Sequence, residues 1–289
     1  MTRAASPPWL ELDPAAMASR FGRRAFAMRH RLAGHALFGL PRLVELAQRL
    51  PSCKLEYNAG DVPITLDPRR TPQNGLSPEE TIRRIEECNS WMVLKNVEID
   101  PAYGALLDRC LAEVAACGGP PVREMREREA FVFVSSPGAM TPYHMDPEEN
   151  FLLQVRGTKT IHVLPPDDRS VLSVEELEHF FGGAHRNLVF RERYRARAAA
   201  FELSPGWGVH VPVTSPHWVQ NGHGVSISFS ITFRTRDSAR RAHAHRANGY
   251  LRRLGLEPSP VGASVFGDEL KHLLIRGVDR VQRAFGISP

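Results

Sequence analysis

The sequence predicts a mainly β fold, an antiparallel barrel or jelly roll with flanking helices. Three observations predict it. Five short runs in the middle of the chain, AFVFVSS (130–136), NFLLQV (150–155), KTIHVL (159–164), GVHVPV (208–213) and VSISFSITF (225–233), are rich in β-branched and aromatic residues and bounded by turn residues. No helical patterns alternate between the last four in the way a parallel βαβ fold requires. The two ends of the chain carry the apolar spacing of helices instead.

The elements follow in order. Residues 1–50 read as helical: the apolar residues of RRAFAMRHRLAGHALFGLPRLVELAQRL recur at helical spacing, and Pro41 starts a second helix. Residues 51–80, rich in Pro, Gly, Asn and Asp, read as an irregular connection. Ser77 caps a helix with Pro78 in its first turn, running to about Glu87. SWMVLKNVEI (90–99) reads as a strand and YGALLDRCLAEVAA (103–116) as a helix. VEELEHFF (174–181) and an Arg-rich segment, RNLVFRERYRARAAA, separate the two halves of the barrel. The last 50 residues return to helix. There Leu270, Leu273, Leu274, Val278, Val281 and Phe285 form one apolar stripe. The expected division is a helical and irregular region over 1–89, a barrel over 90–237 and a helical region over 238–289.

Composition narrows the function classes. Of 289 residues, 42% are hydrophobic and 24% charged, which excludes a mostly disordered chain. No apolar stretch is long enough to span a membrane, and the N-terminus lacks the pattern of a secretory signal, so a cytoplasmic location is the default expectation. The cysteines at 53, 88, 110 and 117 form no CxxC pair and are expected to be reduced. The net charge of +5 is uneven. Residues 231–289 hold 11 Lys and Arg against 5 Asp and Glu, so the rest of the chain is close to neutral. Arg186, Arg191, Arg193, Arg195 and Arg197 add a second basic stretch. With few aromatic residues beside them, nucleic acid is not the expected partner.

The informative histidine is in Tyr143-His144-Met145-Asp146. On an extended strand, residues i and i+2 face the same way. His144 and Asp146 thus present an imidazole and a carboxylate side by side. One more His would complete the facial arrangement of non-haem Fe(II) oxygenases, with positions left open. His217 and His223 are the candidates. His217 lies between strands, whereas His223 sits between two glycines at a loop tip, so His217 is favoured. His210 fits a core or supporting role, and His162 a strand surface or the substrate side. Lys159 shares strand parity with Ile161 and Val163 and so points inward, where a lysine wants an anionic partner such as a dicarboxylate. In VSISFSITF the Ser and Thr residues share one face, which either meets water or lines a polar interior.

The run TPYHMDPEENFLLQVRGTKTIHVLPPDD (141–168) resembles the core hairpin of the cupin-like JmjC family of Fe(II)- and 2-oxoglutarate-dependent oxygenases, with a double-stranded β-helix core. It is similar in pattern to the asparaginyl hydroxylase that acts on hypoxia-inducible factor. PGWGVHVPVTSPHWVQNG resembles the family's second half, with His217 four residues before Asn221. The resemblance covers residues 130–235. It implies that His144, Asp146 and His217 bind iron. It implies that Lys159 and Thr141 hold the distal carboxylate of 2-oxoglutarate and that Asn150 lines the same pocket. Ser230 falls where relatives often carry an Asn that contacts the cosubstrate. The chain departs from many relatives in having Ser215-Pro216 where they have Trp-Trp.

The function it implies is hydroxylation of a peptide or protein side chain, or of a small molecule, by O2 and 2-oxoglutarate, with succinate and CO2 as co-products. The alternative is a non-catalytic metal-binding cupin acting as a ligand sensor or regulator. The resemblance also suggests a homodimer through the C-terminal helix.

Overall fold

The computed structural model describes residues 7–119, 122 and 124–285. The outermost parts of the two expected terminal regions, 1–6 and 286–289, lie outside the described residues, as do 120, 121 and 123.

The chain runs through β1 (Leu10–Glu11), α1 (Pro14–Arg20), β2 (Phe26–His30), α2 (Leu40–Arg49), β3 (Leu55–Ala59), α3 (Pro78–Arg83), β4 (Ser90–Lys95) and α4 (Pro101–Gly118). The barrel continues with β5 (Arg126–Ser135), β6 (Met140–His144), β7 (Glu149–Arg156), β8 (Lys159–Val163), α5 (Val174–Phe181), β9 (Ala199–Leu203), β10 (Trp207–Val211), β11 (His217–Asn221) and β12 (Ser226–Arg234). It ends in α6 (Arg236–Arg253) and α7 (Val265–Ala284). The strands form an eight-stranded sheet, β1-β2-β10-β7-β12-β5-β4-β3, and a four-stranded sheet, β6-β11-β8-β9. Every pairing is antiparallel. This is the jelly-roll architecture expected from the sequence.

Two apolar layers hold it. Between the sheets lie Leu152, Ile161, Val163, Leu203, Val209, Val211 and Val219. On the outer face of the large sheet, Phe151, Phe229, Ile231 and Phe233 pack under residues of α2 and α4 such as Leu43, Leu46, Leu107 and Leu111. Burying each such side chain stabilises the fold by about 1.5–3 kcal/mol. Strand β12 is therefore buried on both faces. Its hydroxyls face inward rather than to water: Ser228 Oγ donates to Gln154 Oε1 at 2.6 Å, and Gln154 Nε2 donates to Ser226 Oγ at 3.0 Å.

The N-terminal helical reading needs correction. Phe26–His30 is a strand in which Phe26, Met28 and His30 are buried and Ala27 and Arg29 exposed. Five residues of period two, read together with Leu32 and Phe38, imitate a helical period. Leu55–Ala59, inside the stretch read as irregular, is an edge strand half-buried at every position, so it shows no alternation. Helix α3 keeps its Ser77 cap, with Ser77 Oγ accepting from the Glu80 amide, but ends at Arg83. The Arg-rich segment is not an exposed helix throughout; it holds a short 3-10 turn over Glu192–Arg197 around a buried Tyr194.

The β7–β8 turn depends on Gly157. Its φ is +68°, and a Cβ there would lie 2.2 Å from the Val225 carbonyl oxygen. Helix α7 leaves its apolar stripe uncovered, with Leu270 52% and Leu274 60% exposed. Among the described residues, no helix is long and apolar enough to cross a membrane.

Candidate metal centre

Strands β6 and β11 are neighbours, and their register sets His144 opposite His217. A bulge between His217 and Val219 then places Thr141, not Pro142, opposite Val219. Proline cannot donate to a ladder, and a bulge at such a point re-aims the side chains beside it. Asp146 follows β6 on a loop, held where Thr214 donates its amide to the Asp146 carbonyl at 2.8 Å. Thr214 adopts φ +58°, a left-handed conformation that is strained for a β-branched residue.

Three donors converge. One ligand atom from each of His144, Asp146 and His217 lies within 4.8 Å of the others. Asp146 Oδ2 is 3.7 Å from His144 Nε2 and 3.6 Å from His217 Nε2. The opposite ring nitrogens are occupied. His144 Nδ1 bonds the Pro142 carbonyl at 2.7 Å, and His217 Nδ1 bonds the Ser215 carbonyl at 2.9 Å. A carbonyl only accepts, so each Nδ1 carries a proton and each Nε2 is the ring nitrogen turned to the centre. Burial, then the adjacent His217, push the His144 imidazole down to about 3, so it is neutral across the physiological range. Burial opposes ionisation of Asp146, but the neighbouring imidazoles and Arg186 hold its carboxyl below the usual range. Two imidazoles and one carboxylate on one side of a point fit a divalent iron-type ion with open positions. His223 is exposed at the Gly222–Gly224 tip and takes no part.

Lys159 is 6% exposed, and among the described residues its ammonium has no hydrogen bond or ion pair. Burial alone pushes it down to about 7. Its register partner on β11 is Asn221, while Thr141 sits on the other side of β11 opposite Val219. Asn150 and Ser230 lie on the facing sheet, where Ser230 Oγ donates to Asn150 Oδ1 at 2.8 Å. The Ser230 hydroxyl is thus committed to Asn150. His210 belongs to the outer core, ringed by Phe21, Phe26 and Phe151, with Glu149 Oε2 3.3 Å from its Nε2. His162 stacks on Trp218 with ring centroids 4.5 Å apart, away from the metal ligands.

Two further residues face the centre and carry no sequence signal of their own. Arg186, one of the Arg-rich group, donates from Nη1 to Asp146 Oδ1 at 3.2 Å. The loop that carries it docks along β6, with Leu188 N donating to the Tyr143 carbonyl at 3.0 Å. Trp91 is buried, and among the described residues its Nε1 has no hydrogen-bond partner. Both line a pocket of about 200 Å³ beside His144, together with Thr141, Lys95 and Asn187.

Comparison with known proteins agrees with this architecture. A zebrafish (Danio rerio) protein, lysine-specific demethylase 8, is 30% identical over 102 residues, which are 33% of this chain. That match spans 24% of the relative's own length. Among solved structures, Escherichia coli YcfD superposes with a TM-score of 0.52 and 16% identity, over 94% of this chain and 68% of that one. YcfD described as a ribosomal oxygenase in complex with cobalt and 2-oxoglutarate superposes with a TM-score of 0.52 and 15% identity, over 95% and 68%. These likenesses carry the fold. The cupin-like domain family matches residues 79–245. That is more than half of the sequence and includes all three converging ligands, and the chain belongs to the cupin-like domain family.

Proposed function

We propose that the protein is an Fe(II)- and 2-oxoglutarate-dependent oxygenase that hydroxylates a side chain of a peptide or protein. The observation that carries this is the pairing of a complete two-His, one-carboxylate ligand set with a buried lysine that has no anion of its own. A sensor or regulator would need the metal ligands but has no need of an inward ammonium. YcfD, which shares the fold, is described with cobalt and 2-oxoglutarate bound.

His144, Asp146 and His217 hold the ion, and Lys159 with Thr141 takes the far carboxylate of the cosubstrate. Bound ferrous iron and 2-oxoglutarate supply the oxidising chemistry, with O2 as co-reactant and succinate and CO2 as co-products. The protein's own contribution is orientation. The Pro142 and Ser215 carbonyls fix the imidazoles, and Arg186 occupies Asp146 Oδ1, leaving Oδ2 for the ion. The pocket beside His144 supports the choice of substrate. At about 200 Å³ it is smaller than pockets that enclose whole small molecules, and it suits one inserted side chain. The Trp91 N–H, Arg186 and Lys95 would meet polar groups on that side chain.

The uncovered stripe on α7 supports a homodimer in which a second copy buries it.

The test is an anaerobic titration of metal-free protein with Fe(II), then 2-oxoglutarate. The expected result is a visible iron-to-keto-acid charge-transfer band that is lost in His144→Ala. Iron binding without the band overturns the cosubstrate assignment. Peptide oxidation is then read by mass spectrometry as a +16 Da product formed with stoichiometric succinate.

A further inference from the structure

A cleft larger than the pocket beside His144 lies away from the three metal ligands. About 1200 Å³ opens between α1, the loop before α5, and α6. Met17, Phe21, Leu177 and Phe181 give its lining an apolar part, with Phe181 stacked on His245 at a ring-centroid distance of 5.8 Å. The lining also carries Arg169, Arg241 and His245.

Basic groups outnumber acidic ones in the lining, where Arg23, Arg169, Arg236, Arg240 and Arg241 stand against Glu124, Glu149, Asp167 and Asp237. Asp167 is bound by Arg24 and Asp237 by Arg240. Glu149 is buried and pushed up to about 8 by that burial, so at neutral pH it is largely uncharged. Arg169 donates only to backbone carbonyls, those of Pro166 and Leu172. Arg241 makes no hydrogen bond or ion pair among the described residues. His245 is 6% exposed, and its Nδ1 is buried without a partner. Burial first, then Arg241, Arg169 and Lys271, hold its imidazole down to about 4. Arg169, Arg241 and Lys271 therefore lie near a neutral imidazole whose Nδ1 has no hydrogen-bond partner among the described residues. Two guanidinium forks and an imidazole match the oxygens of a tetrahedral oxyanion.

We propose that this cleft is a second ligand site, taking a small phosphomonoester whose phosphoryl group meets Arg169, Arg241 and His245 and whose apolar body lies against Phe21 and Phe181. The volume exceeds what a bare phosphate fills, and apolar residues line the cleft beside the basic ones, so the ligand has both parts.

The test is calorimetric titration of metal-free protein with phenyl phosphate, inorganic phosphate and phenol at low ionic strength. Because no metal is present, the result is independent of the oxygenase reading. Phenyl phosphate is expected to bind one-to-one, and about tenfold more tightly than inorganic phosphate. The double variant Arg169→Gln/Arg241→Gln changes exposed side chains and should fold, which circular dichroism checks. It is expected to lose phenyl phosphate affinity by about tenfold or more. His245→Gln, read by the same titration, is expected to weaken binding as well. Absence of saturable binding overturns the site. So does equal affinity in the wild type and the double variant. Phenol binding as tightly as phenyl phosphate overturns the phosphoryl assignment, and inorganic phosphate binding as tightly overturns the apolar half.

Discussion

His144 and His217 face each other across neighbouring strands with ring centroids 4.1 Å apart, each braced at Nδ1 by the carbonyl two residues before it. The two rings are thus pre-aimed by local backbone. His217→Ala is expected to lower metal affinity by more than about a hundredfold, beyond the loss typical of changes outside the ligand shell. His223→Ala, at an exposed loop tip, is expected to leave it unchanged. Metal content after dialysis checks both, and the reverse pattern would reassign the third ligand.

Lys159 gives cosubstrate binding a pH signature. In the free protein its ammonium loses its proton near pH 7, because burial disfavours the charge. A bound carboxylate restores the charged form and raises that value. Binding is then strongest below about pH 7 and weakens above it, by up to about tenfold per pH unit, as the protein must take up a proton. Lys159→Met is expected to weaken 2-oxoglutarate binding about 10–100-fold and to flatten this pH dependence, with metal content normal. A wild-type affinity unchanged between pH 6 and 9 would place the anchor elsewhere.

Arg186 acts through Asp146. Arg186→Leu is expected to weaken metal binding about tenfold, and Arg186→Lys to recover part of that. Equal affinities in all three proteins, measured by competition with a chelator, would reduce Arg186 to a rim residue.

Glu149 ties stability to pH on the opposite face of the sheet. Its folded value, raised by burial to about 8, lies above the unfolded one. The folded state therefore keeps a proton that the unfolded state releases. Stability from this group is full below the unfolded pKa near 4.5 and is lost as pH rises toward 8. The full change is on the order of 5 kcal/mol. Glu149→Gln is expected to remove that slope from denaturation midpoints measured across the range.

The α7 stripe predicts association. Leu274→Glu with Val281→Glu, at positions 60% and 57% exposed, is expected to leave the fold intact and convert a sedimenting dimer to monomer. A wild-type protein that sediments as a monomer at all concentrations would count against the second copy.

The barrel was legible where strands carry apolar residues. β5, β7, β8, β10 and β12 stand out as runs because one or both faces are buried. β6 and β11 do not stand out. Their sequences, MTPYH and HWVQN, set polar residues such as Thr141, His144, His217 and Asn221 among the apolar ones, so neither reads as an apolar run. The polar residues that hid them as strands exposed them as motifs, since His144, Asp146 and His217 were readable from residue type and spacing. The inward direction of Lys159 follows from strand parity, and its place beside the His144–Asp146 pair is what sets it apart from a lysine that reaches out to water. Arg186 and Trp91 were not readable, because each reaches the centre from a segment distant in sequence, through docking that leaves no local pattern. The strand Phe26–His30 was misread because two periods fit so short a run.

The turn at Gly157 shows how far the centre's demands travel. A methyl group added there would collide with the start of β12, and the turn could escape only by lifting away from it. Lys159 stands two residues further on, so its ammonium would be carried out of position. Tolerance to mutation in this molecule therefore does not follow distance from the ligands. A turn that touches neither metal nor substrate is bound to them by chain connectivity, and even alanine is a disruptive change there.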